Sequence, residues 1–175
     1  MLKHRVKNQQ GVVLITGLIF LLVLTLIGIT SMSSTALTEK MTQNFRDYST
    51  AFEAAESALG DGESWVQNQG TTPVPVSTCS SSPCKVWTYN TFSNFWTQST
   101  SWWQTNAIPY SSTIGGVATQ PYYIIEQYAF VPYQLSPDAL SKGQGYYYYR
   151  ITALGTGATT TSRAVVQSMF ATQFN

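Results

Sequence analysis

Charge is scarce in this sequence: Asp, Glu, Lys and Arg make up 10% of the residues, and the net charge is +1. A nucleic-acid partner is not expected, because such a partner requires many basic side chains to neutralise its phosphates. Two long stretches, residues 12–38 and 86–125, contain no charged residue at all. The first is typical of a membrane segment, and the second coincides with an aromatic-rich stretch.

Residues that commonly carry chemistry are few as well. The single histidine is His4, and the only cysteines are Cys79 and Cys84. The sequence contains no base–nucleophile set, no cluster of metal ligands and no glycine-rich phosphate loop, so we expect neither an enzyme nor a cofactor. The GTG at residues 155–157 precedes threonines and another predicted strand instead of a helix, and we interpret it as a turn.

An apolar segment of membrane-spanning length lies near the amino terminus. Residues 12–32 would form a helix of roughly 31 Å, about the thickness of the hydrocarbon core of a bilayer. A secretory signal that is cleaved off has an apolar region of only about 7–15 residues and a small-x-small cleavage site, which is missing here. The segment is therefore expected to be kept as an anchor.

The charges that flank this segment predict its orientation. Lys3, Arg5 and Lys7 precede it, whereas the first charges after it are the mixed pair Glu39 and Lys40. The positive-inside rule places residues 1–11 in the cytoplasm and the chain beyond about residue 33 outside.

Outside the cytoplasm, the cysteine pair in TCSSSPCK is interpreted as a small disulfide loop. Free thiols are the alternative. A metal site is disfavoured, because no histidine or further cysteine is available as a third and fourth ligand.

A helical repeat of apolar residues continues beyond the membrane segment and predicts one helix over residues 12–67. The repeat consists of Met41, Phe45, Tyr48, Phe52, Ala55, Leu59, Gly62 and Val66. From about residue 45 onward it is interpreted as the face that covers the chain's own globular domain. The part before it is apolar on all sides and must face lipid or other helices.

After the helix, the composition changes to loop residues and then to aromatic ones. We predict loop from residue 68 to the cysteines, then irregular structure with a short strand near residues 86–89 and a helical turn near Phe95. Residues 122–131, 146–155 and 162–171 are β-branched and aromatic, and predict an antiparallel meander.

One face of this meander is expected to cover the lower half of the long helix through Ile124, Ile151 and Val165. In the run YYYY at residues 146–149, alternate tyrosines are expected to face core and solvent; the alternative is a binding stack.

The predicted fold class is therefore α+β, with a long N-terminal helix packed on a C-terminal antiparallel sheet. Its parts are a cytoplasmic leader (residues 1–11), a transmembrane helix (12–33), the amphipathic half of the same helix (34–67) and a head outside the cytoplasm (68–175) with the disulfide loop and the sheet.

The leader MLKHRVKNQQG, followed at once by VVLITGLIFLL, resembles the processing signal of type IV pilin precursors. More narrowly, GVVLITGLIFLLVLTLIGIT, TEKMTQNFRDYSTAFEAAESAL, YRITALGTG and VVQS resemble the PilX family of minor pilins. The resemblance implies the type IV pilin fold, cleavage after Gly11 by prepilin peptidase, and methylation of the new amino terminus at Val12.

Three features depart from the usual pilin pattern, and one of them, the position of the cysteine pair, argues for a minor component. Val12 replaces the usual phenylalanine, and Thr16 replaces the glutamate that most pilins carry at the fifth mature position. The pair Cys79 and Cys84 lies just after the helix, whereas major pilins usually close a loop near the carboxyl terminus.

The resemblance also implies a role for the apolar segment, which would serve first as an anchor and then as the packing helix of a filament.

The resemblance implies a minor pilin that helps to prime assembly of the pilus, or fimbrium, at or near its tip, with roles in twitching motility and cell adhesion. Implied partners are the major pilin, other minor pilins, a large tip adhesin and the inner membrane of a Gram-negative bacterium. Two alternatives stay open: a tip adhesin that binds a surface or glycan through residues 87–103, and a pseudopilin of a type II secretion system.

Overall fold

A computed structural model of the chain describes residues 10–79, 84–134 and 137–174. The predicted leader lies outside the described residues, apart from its last two positions. The elements in chain order are α1 (Gln10–Gln67), β1 (Val86–Thr88), a 3₁₀ turn (Phe95–Thr97), α2 (Thr100–Asn106), β2 (Ile108–Pro109), β3 (Tyr122–Pro132), α3 (Pro137–Ser141), β4 (Gly145–Thr156) and β5 (Arg163–Thr172). The α+β prediction, with a long N-terminal helix and a largely antiparallel sheet, is confirmed.

The chain divides into two units, Met1–Gln43 and Asn44–Asn175. In the first unit, the described residues form the amino-terminal part of α1, and from residue 11 onward every side chain is exposed. By length and composition, α1 is able to cross a membrane.

The helix α1 ends at Gln67, in agreement with the prediction. The N–H of Asn68 still donates to the carbonyl of Ser64 at 3.1 Å, and the side chain of Gln69 donates to the carbonyl of Trp65 at 2.9 Å. These bonds satisfy carbonyls that a helix end leaves unpaired. Gly70 and Pro73, which do not favour a helix, follow.

The second unit contains a sheet in which the strands are ordered β1-β3-β4-β5, with the short β2 also paired to β3. The predicted meander β3-β4-β5 is confirmed, since both of its pairings are antiparallel. The predicted short strand near residue 86 is β1, which pairs in parallel with β3. Tyr128 is the extra residue of a β-bulge, because the register of β3 against β4 shifts between Gln127 and Ala129.

The inner face of the sheet packs on residues 44–67 of α1. This core contains Ala58, Leu59, Val66, Val86, Ile108, Tyr123, Ile125, Tyr149, Ile151 and Ala153. Of the three residues predicted to make this contact, only Ile151 does so. Ile124 and Val165 belong to the cluster on the other face, because they pair with Thr152 and Leu154, which alternate with Ile151 along β4.

The repeat predicted to cover the domain is correct in its second half and wrong in its first half. Ala55, Leu59, Gly62 and Val66 face the core, whereas Phe45, Tyr48 and Phe52 are exposed. On the side of the helix that faces the sheet, the residues near Phe52 are the alanines Ala51 and Ala55. The reason is Gly155 of β4, where an added Cβ would lie 2.2 Å from the carbonyl oxygen of Ala51. At so close an approach of the two backbones, no bulky side chain fits.

The interpretation of GTG as a turn needs a correction. Gly155 and Thr156 are the last residues of β4, and only Gly157 lies in the connection to β5. Gly157 faces α1 as well, because a Cβ there would be 2.2 Å from the carboxylate of Asp47.

Residues 89–107 form a layer over the outer face of the sheet, where they pack with Trp87 of β1. Trp87, Phe95 and Trp103 are buried there against Ile124 and Leu154. The predicted helical turn at Phe95 is confirmed, but α2, which begins three residues after that turn, was predicted as irregular structure. The hydroxyl of its N-cap, Ser99, accepts the N–H of Trp102 at 3.2 Å, and this cap is a local signal that could have located the helix.

Candidate functional site

The start of α1 contains the residues that the sequence singled out for processing and assembly. Gly11, Val12 and Thr16 are all exposed and helical, and no atom lies within 4 Å of a Cβ added at Gly11. The hydroxyl of Thr16 donates to the carbonyl oxygens of Val12 and Val13, at 3.0 Å each. The hydroxyl of Thr16 is therefore satisfied within its own helix.

The other threonine hydroxyls of the apolar segment are satisfied in the same local way. Thr25 donates to the carbonyl of Leu22 at 2.8 Å, and Thr30 donates to those of Leu26 and Ile27. A polar side chain that bonds to its own helix adds little cost to membrane insertion. The threonines of this segment therefore require no polar partner outside their own helix.

In the second unit, Asp47 binds α1 to the connection between β4 and β5. Its carboxylate accepts hydrogen bonds from the backbone N–H of Ala158 and from the hydroxyl of Thr159. Hydrogen bonds from the hydroxyls of Ser162 and Thr159 lower the pKa of Asp47, so the group stays ionised at neutral pH. The helix is thereby held at the end of the sheet.

A second carboxylate on α1 holds the segment that follows β2. Asp61 accepts the backbone N–H of Ser111 at 3.0 Å and the hydroxyl of the same residue at 2.9 Å. It also lies near Tyr123, where burial, followed by the charge of Asp61, raises the pKa of the phenol to about 12. Asp47 and Asp61 therefore both orient the head on the helix.

A buried ion pair lies under the aromatic layer. Arg150 approaches Glu126 at 2.6 Å, and Glu126 is fully buried. The guanidinium also lies 4.6 Å from the ring centre of Tyr89 and 5.7 Å from that of Phe95. Burial raises the pKa of Glu126, opposed by the hydrogen bond and the charge of Arg150. The pair orders the contact between layer and sheet.

The sequence analysis missed this pair, although a signal was present. Glu126 is the first charge after forty uncharged residues, and Arg150 stands alone in the next predicted strand. A single charge within a predicted buried strand requires a partner, and adjacent strands supply one.

The cysteines form a disulfide between Cys79 and Cys84, with 5.8 Å between their Cα atoms. Both are partly buried against the outer cluster, which contains Trp87. The bridge thus joins the segment after α1 to the aromatic layer.

The aromatic stretch that the sequence offered as a binding surface is largely core. Trp87 and Trp103 are buried, and Trp102 is half-buried, whereas Trp96 is 59% exposed. In the YYYY run, Tyr147 and Tyr149 face the α1 side, and Tyr146 is exposed on the other side. The predicted alternation of the tyrosines is confirmed.

Among the described residues, no group of three or more His, Cys, Asp or Glu side chains could hold a metal ion. The polar groups described above bond to one another, and their arrangement serves to position elements of the fold.

Comparison with known proteins adds an independent result. A family described as "Type IV pilus assembly protein PilX C-term" matches residues 62–172, and a second, described as "PilX N-terminal", matches residues 10–59. No curated protein and no solved structure matches the chain significantly. Since the two matches cover nearly the whole chain and agree with its pilin-like arrangement of helix and sheet, the chain belongs to the PilX family of type IV pilus assembly proteins.

Proposed function

We propose that this chain is a minor pilin that takes part in priming type IV pilus assembly and lies at or near the pilus tip, in a structural and non-catalytic role. The observation that carries the proposal is Thr16. Its hydroxyl is bonded within its own helix, so the residue offers no anion to a neighbouring subunit.

The resemblance implies that the usual glutamate at this position pairs with the charged amino terminus of an adjacent subunit. A carboxylate inside a bilayer costs about 2.5–3.5 kcal/mol on insertion scales, and it persists where such pairing offsets that cost. Thr16 avoids the cost but forgoes the attraction to a subunit already in place. The subunit that least needs this attraction is the first to enter the filament, which ends at the tip.

Immunogold labelling of sheared pili with antibodies against the head tests the location. Label is expected at filament ends, while antibodies against the major pilin mark the shafts in the same preparation. Label distributed along the shafts would contradict a position at the tip.

Processing is the second part of the proposal. Prepilin peptidase is expected to cleave after Gly11, so that Val12 becomes the methylated first residue of the mature chain. Gly11→Leu should block cleavage, because the peptidase requires a small residue there, and the uncleaved chain should stay in the membrane. Mass spectrometry of the mature protein distinguishes the outcomes: a chain that starts at residue 1 or in the 30s would rule out pilin processing.

The partners proposed for this location are other minor pilins, the major pilin and a large tip adhesin. The chain would be a single-pass inner-membrane protein with a periplasmic head before it enters the pilus. Deletion of the gene should reduce surface piliation and leave secretion of exoenzymes intact. The opposite result would favour a pseudopilin of a type II secretion system.

A further inference from the structure

The strand β5 forms one edge of the sheet. It is last in the strand order, and among the described residues only β4 pairs with it, in an unbroken antiparallel register over ten residues. Alternate backbone N–H and C=O groups of an edge strand point away from the sheet, where they can pair with another strand.

Features that normally prevent such pairing are missing from β5. The strand has no proline, no lysine and no bulge, and its only charge is Arg163 at its first position, which donates to the carbonyl of Gln98 at 2.6 Å. By contrast, the opposite edge of the sheet is interrupted. There, residues 128–132 of β3 extend beyond the part that pairs with β1, and this unpaired stretch begins with the bulge at Tyr128 and ends at Pro132. One edge is blocked and the other is open.

Hydrophobic side chains of β5 are also left incompletely covered at this edge of the sheet. Val166 and Phe170 pack against the inner cluster but are only partly buried. On the outer face, Met169 is 53% exposed. A strand added beside β5 would cover these side chains on both faces.

We propose that β5 is a docking edge that receives an extended segment of a different polypeptide by β-strand addition. Only an extended backbone matches the hydrogen-bonding groups of the edge. The incoming segment should have apolar residues at alternate positions, which would contact Val166 and Phe170. The choice of a different polypeptide rests on the membrane anchoring in the proposed function.

A second copy of this chain fits the edge poorly for a geometric reason. Ile151 and Gly155 of β4 lie against Gly62 and Ala51 of α1, respectively. Gly157, just after β4, lies against Asp47, so the helix runs antiparallel to β4. A symmetric antiparallel pair of β5 strands would place residues 44–67 of the two copies in opposite directions. Residue 44 would then lie at opposite ends of the pair in the two copies, although both chains have to continue from this residue into the same membrane.

Site-specific photo-crosslinking of the full-length chain in its own cells tests the proposal. A photoreactive amino acid is introduced in turn at Gln167, Met169 and Ala171, which are exposed on one face of β5. The same partner polypeptide should be captured from all three positions. The captured residues should move along the partner by two residues at each step, in one direction, as a paired strand requires. The same probe at Tyr128, on the blocked edge, should not give this ladder.

A charge on the edge provides the matched variant. Met169→Lys should reduce capture from Ala171 at least tenfold, while Tyr128→Lys should leave it unchanged, and both should keep the wild-type melting temperature. Capture of this same chain, scattered captured positions, or no capture at all would overturn the proposal. A clear ladder combined with normal piliation of the deletion strain would instead uphold the docking edge and contradict the pilus role.

Discussion

The two parts of α1 use small residues in opposite ways. In the first unit, Gly17 and Gly28 have no atom within 4 Å of an added Cβ, and large apolar side chains are exposed all around them. In the second unit, Gly62 and the alanines at positions 51, 55 and 58 face the sheet at close range. Lipid or neighbouring helices adapt to any apolar side chain, whereas a sheet at fixed distance accepts only those that fit.

Polar groups follow the same division. In the first unit, threonine hydroxyls bond to carbonyls three or four residues earlier in the same helix. In the second unit, Asp47 and Glu126 bond to groups far away in sequence, on the β4–β5 connection and on β4. Mutations in the first unit should therefore have local effects, and those in the second unit should affect the fold.

The largest effect is expected for Gly155→Val. The added Cβ would lie 2.2 Å from the carbonyl oxygen of Ala51 and 2.4 Å from the backbone nitrogen of Ala55, neither of which can move by itself. The free energy of unfolding should fall by about 3 kcal/mol. Urea unfolding in detergent, followed by tryptophan fluorescence, measures the loss. Gly28→Val is the control in the first unit and should leave the head unchanged; similar losses in both variants would contradict the comparison.

A smaller and pH-dependent effect is expected for Arg150→Met. Removal of one partner from a buried pair leaves Glu126 without its counter-charge, at a cost of about 3 kcal/mol or somewhat less because Arg150 is 18% exposed. Burial already raises the pKa of Glu126 in the folded state, and without Arg150 the pKa should rise further. A raised folded-state pKa gives stability that is present at low pH and lost as the pH rises through that pKa.

The deficit of Arg150→Met should therefore be larger at pH 7 than at pH 4 in urea unfolding. The double variant that also carries Glu126→Gln has no titrating group at this site and should show a pH dependence flatter than that of the single variant. A deficit that does not change with pH would mean that the contacts of Arg150 with Tyr89 and Phe95 carry its role.

The smallest effect is the difference in stability between two glycine-to-alanine variants of α1, Gly60→Ala and Gly62→Ala. Gly60→Ala should stabilise the head by about 0.5–1 kcal/mol, because alanine favours a helix and nothing lies within 4 Å of its Cβ. Gly62→Ala gains the same helix propensity but places its Cβ 2.9 Å from Ile151 and 3.0 Å from Tyr123. The second variant should be at least about 1 kcal/mol less stable than the first in thermal unfolding. Equal stabilities would show that the contact of α1 with the sheet is loose at this point.

The sequence alone determined the elements with strong local signals. The uncharged run after Gly11, the absence of proline before Pro73 and the three β-branched and aromatic runs predicted α1 and β3 to β5 within one or two residues of their ends. Periodicity and composition suffice there, because each element repeats its own pattern over ten residues or more. The resemblance of residues 1–67 to pilins was visible at the same level.

Among residues that fit the same hydrophobic pattern, only the tertiary structure decided which ones make contact. Phe52 and Ala55 lie on the same stripe of α1, yet the sheet contacts the alanine, because Gly155 on a distant strand sets the distance. Ile124 and Ile125 are neighbours of equal hydrophobicity, and only the register against β4 assigns Ile125 to the helix and Ile124 to the aromatic layer. Register and interelement distance depend on residues far apart in the chain, so no local pattern contains them.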